Sequence, residues 1–217
     1  MSERVIDDDM RAYYDQRAAE YDDWWRGTGR FTDRDRPGWT EEVAALVAVL
    51  AALTPARVLD VACGTGFLTR HLRGHVTGLD QSPRMVEIAG GRIPGAEVIE
   101  GDAVPLPFAD GAFERVVTSH FYGHLQPGER EPFVAEARRV AGELVVVDSA
   151  RRAGTDAEAW EERILDDGSR HRVYKRWFGG DELAAELGGG EVLHDGRWFV
   201  VVASPAAADE LPTGGPS

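Results

Sequence analysis

The chain has 217 residues and carries 24 Lys plus Arg against 38 Asp plus Glu, a net charge of -14. That length suits one domain spanning 1–217, with a hydrophobic fraction of 43% to fill one core. The negative surplus excludes a surface that grips nucleic acid through its phosphates, because a polyanion would be repelled. Cys63 stands alone, which excludes an intrachain disulfide and a cysteine-based zinc site. No apolar run approaches the roughly 20 residues of a membrane span. Residues 1–9 are acidic rather than basic and then apolar, unlike a secretory leader. The expectation is a cytoplasmic protein with no membrane partner, monomeric or homodimeric. Lys175 is the one lysine among the basic residues, a bias that fits the codon usage of a GC-rich genome.

In chain order, Tyr14, Ala18, Tyr21 and Trp25 recur at helical spacing and predict a helix over 9–25 with an aromatic stripe. Gly27, Gly29 and Pro37-Gly38 interrupt it. Thr40 is placed to cap a second helix, followed by Glu41 and Glu42 at its positive end, and Val43, Leu46, Val47, Leu50 and Leu53 form its apolar face. After Pro55 strands and helices alternate. Strands are predicted over 57–62, 76–79, 97–100, 115–119 and 144–147, and helices over 64–72, 83–89 and 129–140. Ser82 serves as N-cap of the 83–89 helix and Pro83 stands at its first position. Such alternation implies a parallel sheet covered on both faces. Trp160 and Ile164 predict a further helix over 156–165, followed by a basic and aromatic stretch over 169–178 and a short helix over 181–187. The last two runs, 191–194 and 197–203, flank Asp195-Gly196, the signal of a type I′ hairpin. Residues 204–217 are small, Pro-rich and expected to be disordered.

Chemistry is concentrated in Val58-Leu-Asp-Val-Ala-Cys-Gly-Thr-Gly66, a buried strand that ends in a glycine loop. Gly64 and Gly66 permit a tight turn and the close approach of a ligand to the backbone. Asp80 follows 20 residues after Asp60, at the end of the next strand, where a carboxylate can accept from two ribose hydroxyls. The ligand is therefore read as a nucleoside. A dinucleotide fingerprint would need a third glycine where Thr69 stands. Asp60 before the loop suits a cationic ligand better than a pyrophosphate, which points to S-adenosylmethionine. Asp102, ending the third strand, is placed to accept from an adenine amino group.

With these residues the chain resembles the class I S-adenosylmethionine-dependent methyltransferases, in particular the small-molecule branch of ubiquinone and menaquinone methyltransferase-like enzymes. The resemblance spans about 13–203 and rests on Leu59-Asp-Val-Ala-Cys-Gly-Thr-Gly66, Gly78-Leu-Asp-Gln-Ser-Pro-Arg-Met85, and Gly101-Asp-Ala with Leu106-Pro-Phe. It implies an α/β fold: a Rossmann-like three-layer sandwich, with a seven-stranded mostly parallel sheet, a C-terminal antiparallel hairpin and an N-terminal helical lid. Residues 1–39 would form the lid region, 55–150 the cofactor core and 151–190 the substrate side. It further implies that Asp60, Ala62, Gly64 and Gly66 cradle the methionine moiety, with Ala62 replacing the family's usual first glycine. Asp80 would hold the ribose, and Gln81 and Met85 the ribose and adenine face. Asp102 and Ala103 would read the adenine edge, Ser119 would lie near the methionine end, and Tyr14 and Tyr21 would cover the cofactor.

If the acceptor is a phenol, hydroxyl or carbon acid, a base is needed. His120 follows the fourth strand and is the first candidate, and His124 is the second. The opposing reading of His124 is a packed ring bonded to backbone. His171 and Tyr174 are candidates for a pocket wall, whereas the neighbouring arginines are expected to pair with Glu161, Glu162, Asp166 and Asp167. Of the strand ends a metal site would use, only that of Asp148 carries an acid, so no metal is expected. The expected activity is methyl transfer to oxygen or carbon of a small natural-product-like or quinone-like molecule, releasing S-adenosylhomocysteine. A non-methylating reaction of the same fold (cyclisation or decarboxylation) and a non-catalytic ligand sensor stay open.

Overall fold

The computed structural model describes residues 8–93 and 95–206, so most of the expected disordered tail, from 207 on, and the acidic start, 1–7, lie outside it. Five parallel strands build the centre: β1 (Ala56–Val61), β2 (Gly74–Asp80), β3 (Glu97–Glu100), β4 (Arg115–Ser119) and β5 (Glu143–Ser149). Two antiparallel strands, β8 (Glu191–Asp195) and β9 (Phe199–Pro205), complete a seven-stranded sheet in the order β3-β2-β1-β4-β5-β9-β8. β9 thus extends to Pro205, into the stretch expected to be disordered.

The continuous apolar runs of the strands are explained by burial on both faces. Alternate residues of each strand enter two cores. Leu59, Val61, Val116, Val146 and Val200 pack with Phe133, Ala137 and Val140 of α5 (Arg130–Val140) and Leu183 of α6 (Gly180–Glu186). Val58, Val117, Val145, Val147 and Val201 pack with Leu46 and Leu50 of α3 (Trp39–Ala52). On the β2–β3 side lies α4 (Pro83–Arg92), whose cap is the expected one: Ser82 Oγ accepts from Met85 N at 3.2 Å.

Five expectations are corrected. The 9–25 helix is two helices, α1 (Asp8–Arg17) and α2 (Tyr21–Arg26), joined by a 3-10 turn. The second helix starts at Trp39 with Gly38 at its cap, so Thr40 is inside it. The segment 64–72 holds only a 3-10 turn over Thr69–His71, because Gly64 and Gly66 both adopt positive φ, 55° and 74°. The segment expected as a 156–165 helix is β6 (Glu158–Ile164), paired antiparallel with β7 (Arg170–Arg176) in a separate hairpin. Trp160 and Ile164, four apart, share one side of a strand as readily as of a helix. Finally, the 195–196 turn is not type I′, which requires positive φ at both central residues, for Gly196 has none. The Glu42 carboxylate reaches into this loop and accepts from the backbone N of Trp198 at 2.7 Å and of Phe199 at 2.9 Å. A Cβ at Gly196 would fall 2.2 Å from Glu42 Oε1, so a larger residue there would have to displace the carboxylate that holds the loop.

Candidate functional site

The chain reverses direction of travel between β1 and β4, the place where an open α/β sheet leaves a crevice at its carboxyl edge. A cavity of about 500 Å³ occupies it. The only described non-glycine residues with positive φ, Ala62 at 58° and His120 at 55°, follow β1 and β4 directly and both line the cavity. Strained backbone of this kind, costing of order 1–3 kcal/mol per residue, concentrates at binding sites.

One half of the cavity is floored by Ala62, Gly64, Asp80, Gln81, Met85 and Ala103. Asp80 Oδ2 accepts from Gly64 N at 2.8 Å and Oδ1 from Ser82 N at 2.9 Å, so the carboxylate fixes the glycine loop while each oxygen keeps a further lone pair. Burial pushes its pKa up to about 6 against the pull of those amides. Tyr14 and Tyr21 close this half from above, the Tyr21 ring lying 3.5 Å from the position of a Cβ on Gly64. The aromatic stripe therefore divides: Trp25 is buried, stacked on Phe67, and Tyr14 and Tyr21 face the cavity. The helices are latched down by polar contacts. Asp22 Oδ1 accepts from Thr65 Oγ1 at 2.6 Å, Asp22 Oδ2 pairs with Arg92, and Asp15 Oδ1 accepts from Ser82 Oγ at 2.8 Å.

Three expected ligand residues are placed elsewhere. Asp60 lies beneath the loop, 1% exposed and outside the lining, where its Oδ2 accepts from Thr69 Oγ1 at 2.6 Å. Its Oδ1 is buried without a partner, and burial pushes its pKa up to about 7. Gly66 packs against Ile93, and Asp102 is exposed on the outer side of the third-strand loop. Only Ala103 of that pair reaches the cavity.

The other half is lined by Ser119, His120, Phe121 and His124 after β4, and by Trp160, His171, Arg172 and Tyr174 of the β6–β7 hairpin. His120 is boxed by Trp24, Trp25 and Phe199, at ring distances of 4.9, 5.1 and 5.6 Å. Its Nε2 is buried without a partner and its Nδ1 lies 3.3 Å from Ser149 Oγ. Burial drives its pKa down to about 3. So enclosed, its Nε2 has no open face, and His120 is the less well presented of the two candidate bases. His124 is better presented. Its Nδ1 lies 2.7 Å from the Tyr174 carbonyl oxygen, so Nδ1 carries the proton and Nε2 the lone pair. The backbone bond of the opposing reading is thus present, yet the ring still lines the cavity and Nε2 has no protein partner among the described residues. Burial, helped by Lys175, holds His124 well below the ordinary histidine pKa, in its neutral form.

Tyr174 presents no free hydroxyl: its Oη donates to Glu158 at 2.7 Å and accepts from Arg130 at 2.9 Å. It stands in the cavity wall, as expected of a wall residue, with its hydroxyl already committed. His171 lines the cavity, packed 5.0 Å from the Tyr13 ring with Nε2 3.1 Å from Ser169 Oγ. Of the arginines in this stretch, Arg170 pairs with Glu162, as expected, whereas Arg176 pairs with Glu182 and Glu186 and Arg172 lies over the Trp160 ring. Sequence reasoning missed Trp160 as a lining residue, because it was read as helical, and missed Thr69 as the partner of Asp60.

Comparison with known proteins agrees with this geometry. Residues 58–143 match the family model described as a methyltransferase domain. The chain is 36% identical over 118 residues to a demethylmenaquinone methyltransferase of Thermotoga maritima, covering 51% of this chain and 49% of that one. It is 33% identical over 129 residues to the ajmaline N-methyltransferase of Rauvolfia serpentina, covering 51% and 43%. The chain thus spans about half the length of these curated relatives. The solved DhpI-SAH complex is similar at 26% identity and a TM-score of 0.69, covering 91% of this chain and 96% of that one. Strand order, glycine loop, the buried carboxylate at the end of β2 and these likenesses together make the chain similar to the class I S-adenosylmethionine-dependent methyltransferases.

Proposed function

We propose that the chain methylates oxygen or carbon of a small aromatic or quinone-like molecule, using S-adenosylmethionine and releasing S-adenosylhomocysteine. The observation that carries this reading is that one cavity joins the Gly64–Asp80 cradle to His124. The fit to the cofactor rests on three features: a positive-φ glycine whose nearest neighbour is the Tyr21 ring, a buried carboxylate with spare lone pairs, and the orphaned Asp60 Oδ1 beneath the loop. Asp80 would hold the ribose hydroxyls, with Gln81 and Met85 beside them and Ala103 against the adenine. Asp60 would act from below the loop, stabilising positive charge on the ligand without touching it. Tyr14 and Tyr21 would exclude water, and residues 1–39 would serve as the lid of a single domain.

S-adenosylmethionine supplies, when bound, an electrophilic methyl on a cationic sulfur. The work left to the protein is to align the acceptor and hold its proton, and alignment supplies much of the rate. His124 Nε2 would take the acceptor's proton, since its other nitrogen is committed to the Tyr174 carbonyl. Trp160, half-exposed at 48%, would lie against a flat ring at the mouth. The naming of a menaquinone enzyme among the relatives supports a quinone-like acceptor. The test is incubation of quinol and phenol acceptors with cofactor carrying a ¹³C methyl, followed by NMR of the product. A methoxy or aryl-methyl signal is expected. An N-methyl signal would replace the acceptor proposed, and turnover without a transferred label would favour a non-methylating reaction.

A further inference from the structure

The one lysine of the chain sits where the β6–β7 hairpin meets the sheet. Lys175 Nζ pairs with Asp148 at the end of β5, their side chains 4% and 0% exposed. Asp148 also accepts from Gly123 N and Ser149 N, both at 2.7 Å, so it holds the turn Tyr122–His124 as well. A Cβ on Gly123 would lie 2.9 Å from Lys175 Nζ, 2.9 Å from Asp148 Oδ1 and 2.7 Å from the Arg176 carbonyl oxygen. Three segments thus converge on a point with no spare volume. Everywhere else the chain uses arginine, but the planar guanidinium is larger than an ammonium. Codon bias accounts for the arginines, and the crowding at Gly123 accounts for the exception. The residue before Lys175 supplies the carbonyl that receives His124 Nδ1.

We propose that the Lys175–Asp148 pair is a positioning device for the acceptor half of the cavity. By pinning β7 to the turn after β4, it keeps the Tyr174 carbonyl on His124 Nδ1 and so keeps Nε2 unprotonated. Neither residue touches the acceptor. Burying an ion pair is a weak route to stability, since desolvation offsets the attraction, but it is an effective way to fix one arrangement. The inference rests on the reading of His124 as the base that faces the acceptor.

The test uses the full chain labelled with ¹⁵N-histidine and ¹⁵N-lysine, with His124→Gln to assign the His124 signals. In the unmodified protein His124 is expected as the Nδ1–H tautomer, and the single lysine as one ammonium signal protected from exchange with water. The double variant Lys175→Met with Asp148→Asn removes both charges together, so that neither is left buried alone. It is expected to bind S-adenosylmethionine within about threefold of the parent while His124 shifts towards the Nε2–H form. Retention of the Nδ1–H tautomer in the double variant overturns the proposal. A rapidly exchanging lysine signal in the parent overturns it also, whether or not the variant folds. Failure of the parent to bind the cofactor or transfer a methyl would sink the proposed function and leave the tautomer result standing.

Discussion

Asp60 is a buried carboxylate with one unpartnered oxygen, and replacing it by Asn isolates what that charge does. Its pKa is raised from 3.8 to about 7, first by burial, with Asp80 adding to the rise and the Thr69 hydroxyl opposing it. The folded protein therefore holds this proton more tightly than the unfolded chain does. The contribution of Asp60 to stability is highest below about pH 4, falls as pH rises towards 7, and is flat above. A shift of about 3 units at roughly 1.4 kcal/mol each sets an upper bound of roughly 4 kcal/mol on the cost of ionising Asp60 at pH 8. Asn has the same shape and its carbonyl can still accept from Thr69, so most of that cost should be relieved. For a chain of this size each kcal/mol moves Tm by about 2–4 °C. Thermal unfolding of cofactor-free protein should therefore show Asp60→Asn melting several degrees above the parent at pH 8, with the two converging at pH 4. Asp80 is present in both proteins and largely cancels from the difference. Equal melting at pH 8, or a gain independent of pH, would refute the idea of an acid held in reserve for a cation.

Cofactor binding should report the same carboxylates. A cation settling above Asp60 and Asp80, whose pKa values lie at about 7 and about 6, lowers both, so calorimetry at pH 6.5 in two buffers should show net proton release. Proton uptake would contradict it. Asp80→Ala should weaken S-adenosylmethionine by about 100-fold or more, since two charge-assisted bonds to ribose at roughly 1.5–3 kcal/mol each are lost. An unchanged Kd would remove the ribose role. His124→Gln should lower the methyl-transfer rate by about 10²- to 10⁴-fold with cofactor affinity unchanged. An unchanged rate would leave alignment alone as the source of catalysis.

The central fold was legible because its signals are local. β3 (Glu97–Glu100) and β4 (Arg115–Ser119) have the expected bounds, and Ser82-Pro83 marked the start of α4 through cap chemistry that needs no distant partner. The hairpin β6–β7 was not legible, because Trp160 and Ile164 fit helix and strand alike and the choice is made by pairing with Tyr174 and Arg170. The same limit applies to the site. Asp80 ends β2, Gln81 follows it, and Met85 and Ala103 lie within five residues of a strand end; all four line the cavity. His120 and Tyr174 both line the cavity, but contacts distant in sequence limit what each presents to it: Trp24 and Trp25 around one, Glu158 and Arg130 on the other. Gly196 was correctly read as marking a hairpin, but the reason lies in Glu42, more than a hundred residues away.

The central claim is that this cavity transfers a methyl from S-adenosylmethionine to a small molecule. Incubating the protein with trideuteromethyl-labelled cofactor and a small-molecule extract, then comparing masses with an unlabelled control, tests it most directly. The account predicts a low-mass product heavier by the three deuteriums, formed in step with S-adenosylhomocysteine. Cofactor that binds yet yields neither S-adenosylhomocysteine nor a labelled product, across extracts rich in quinols and phenols, would contradict it.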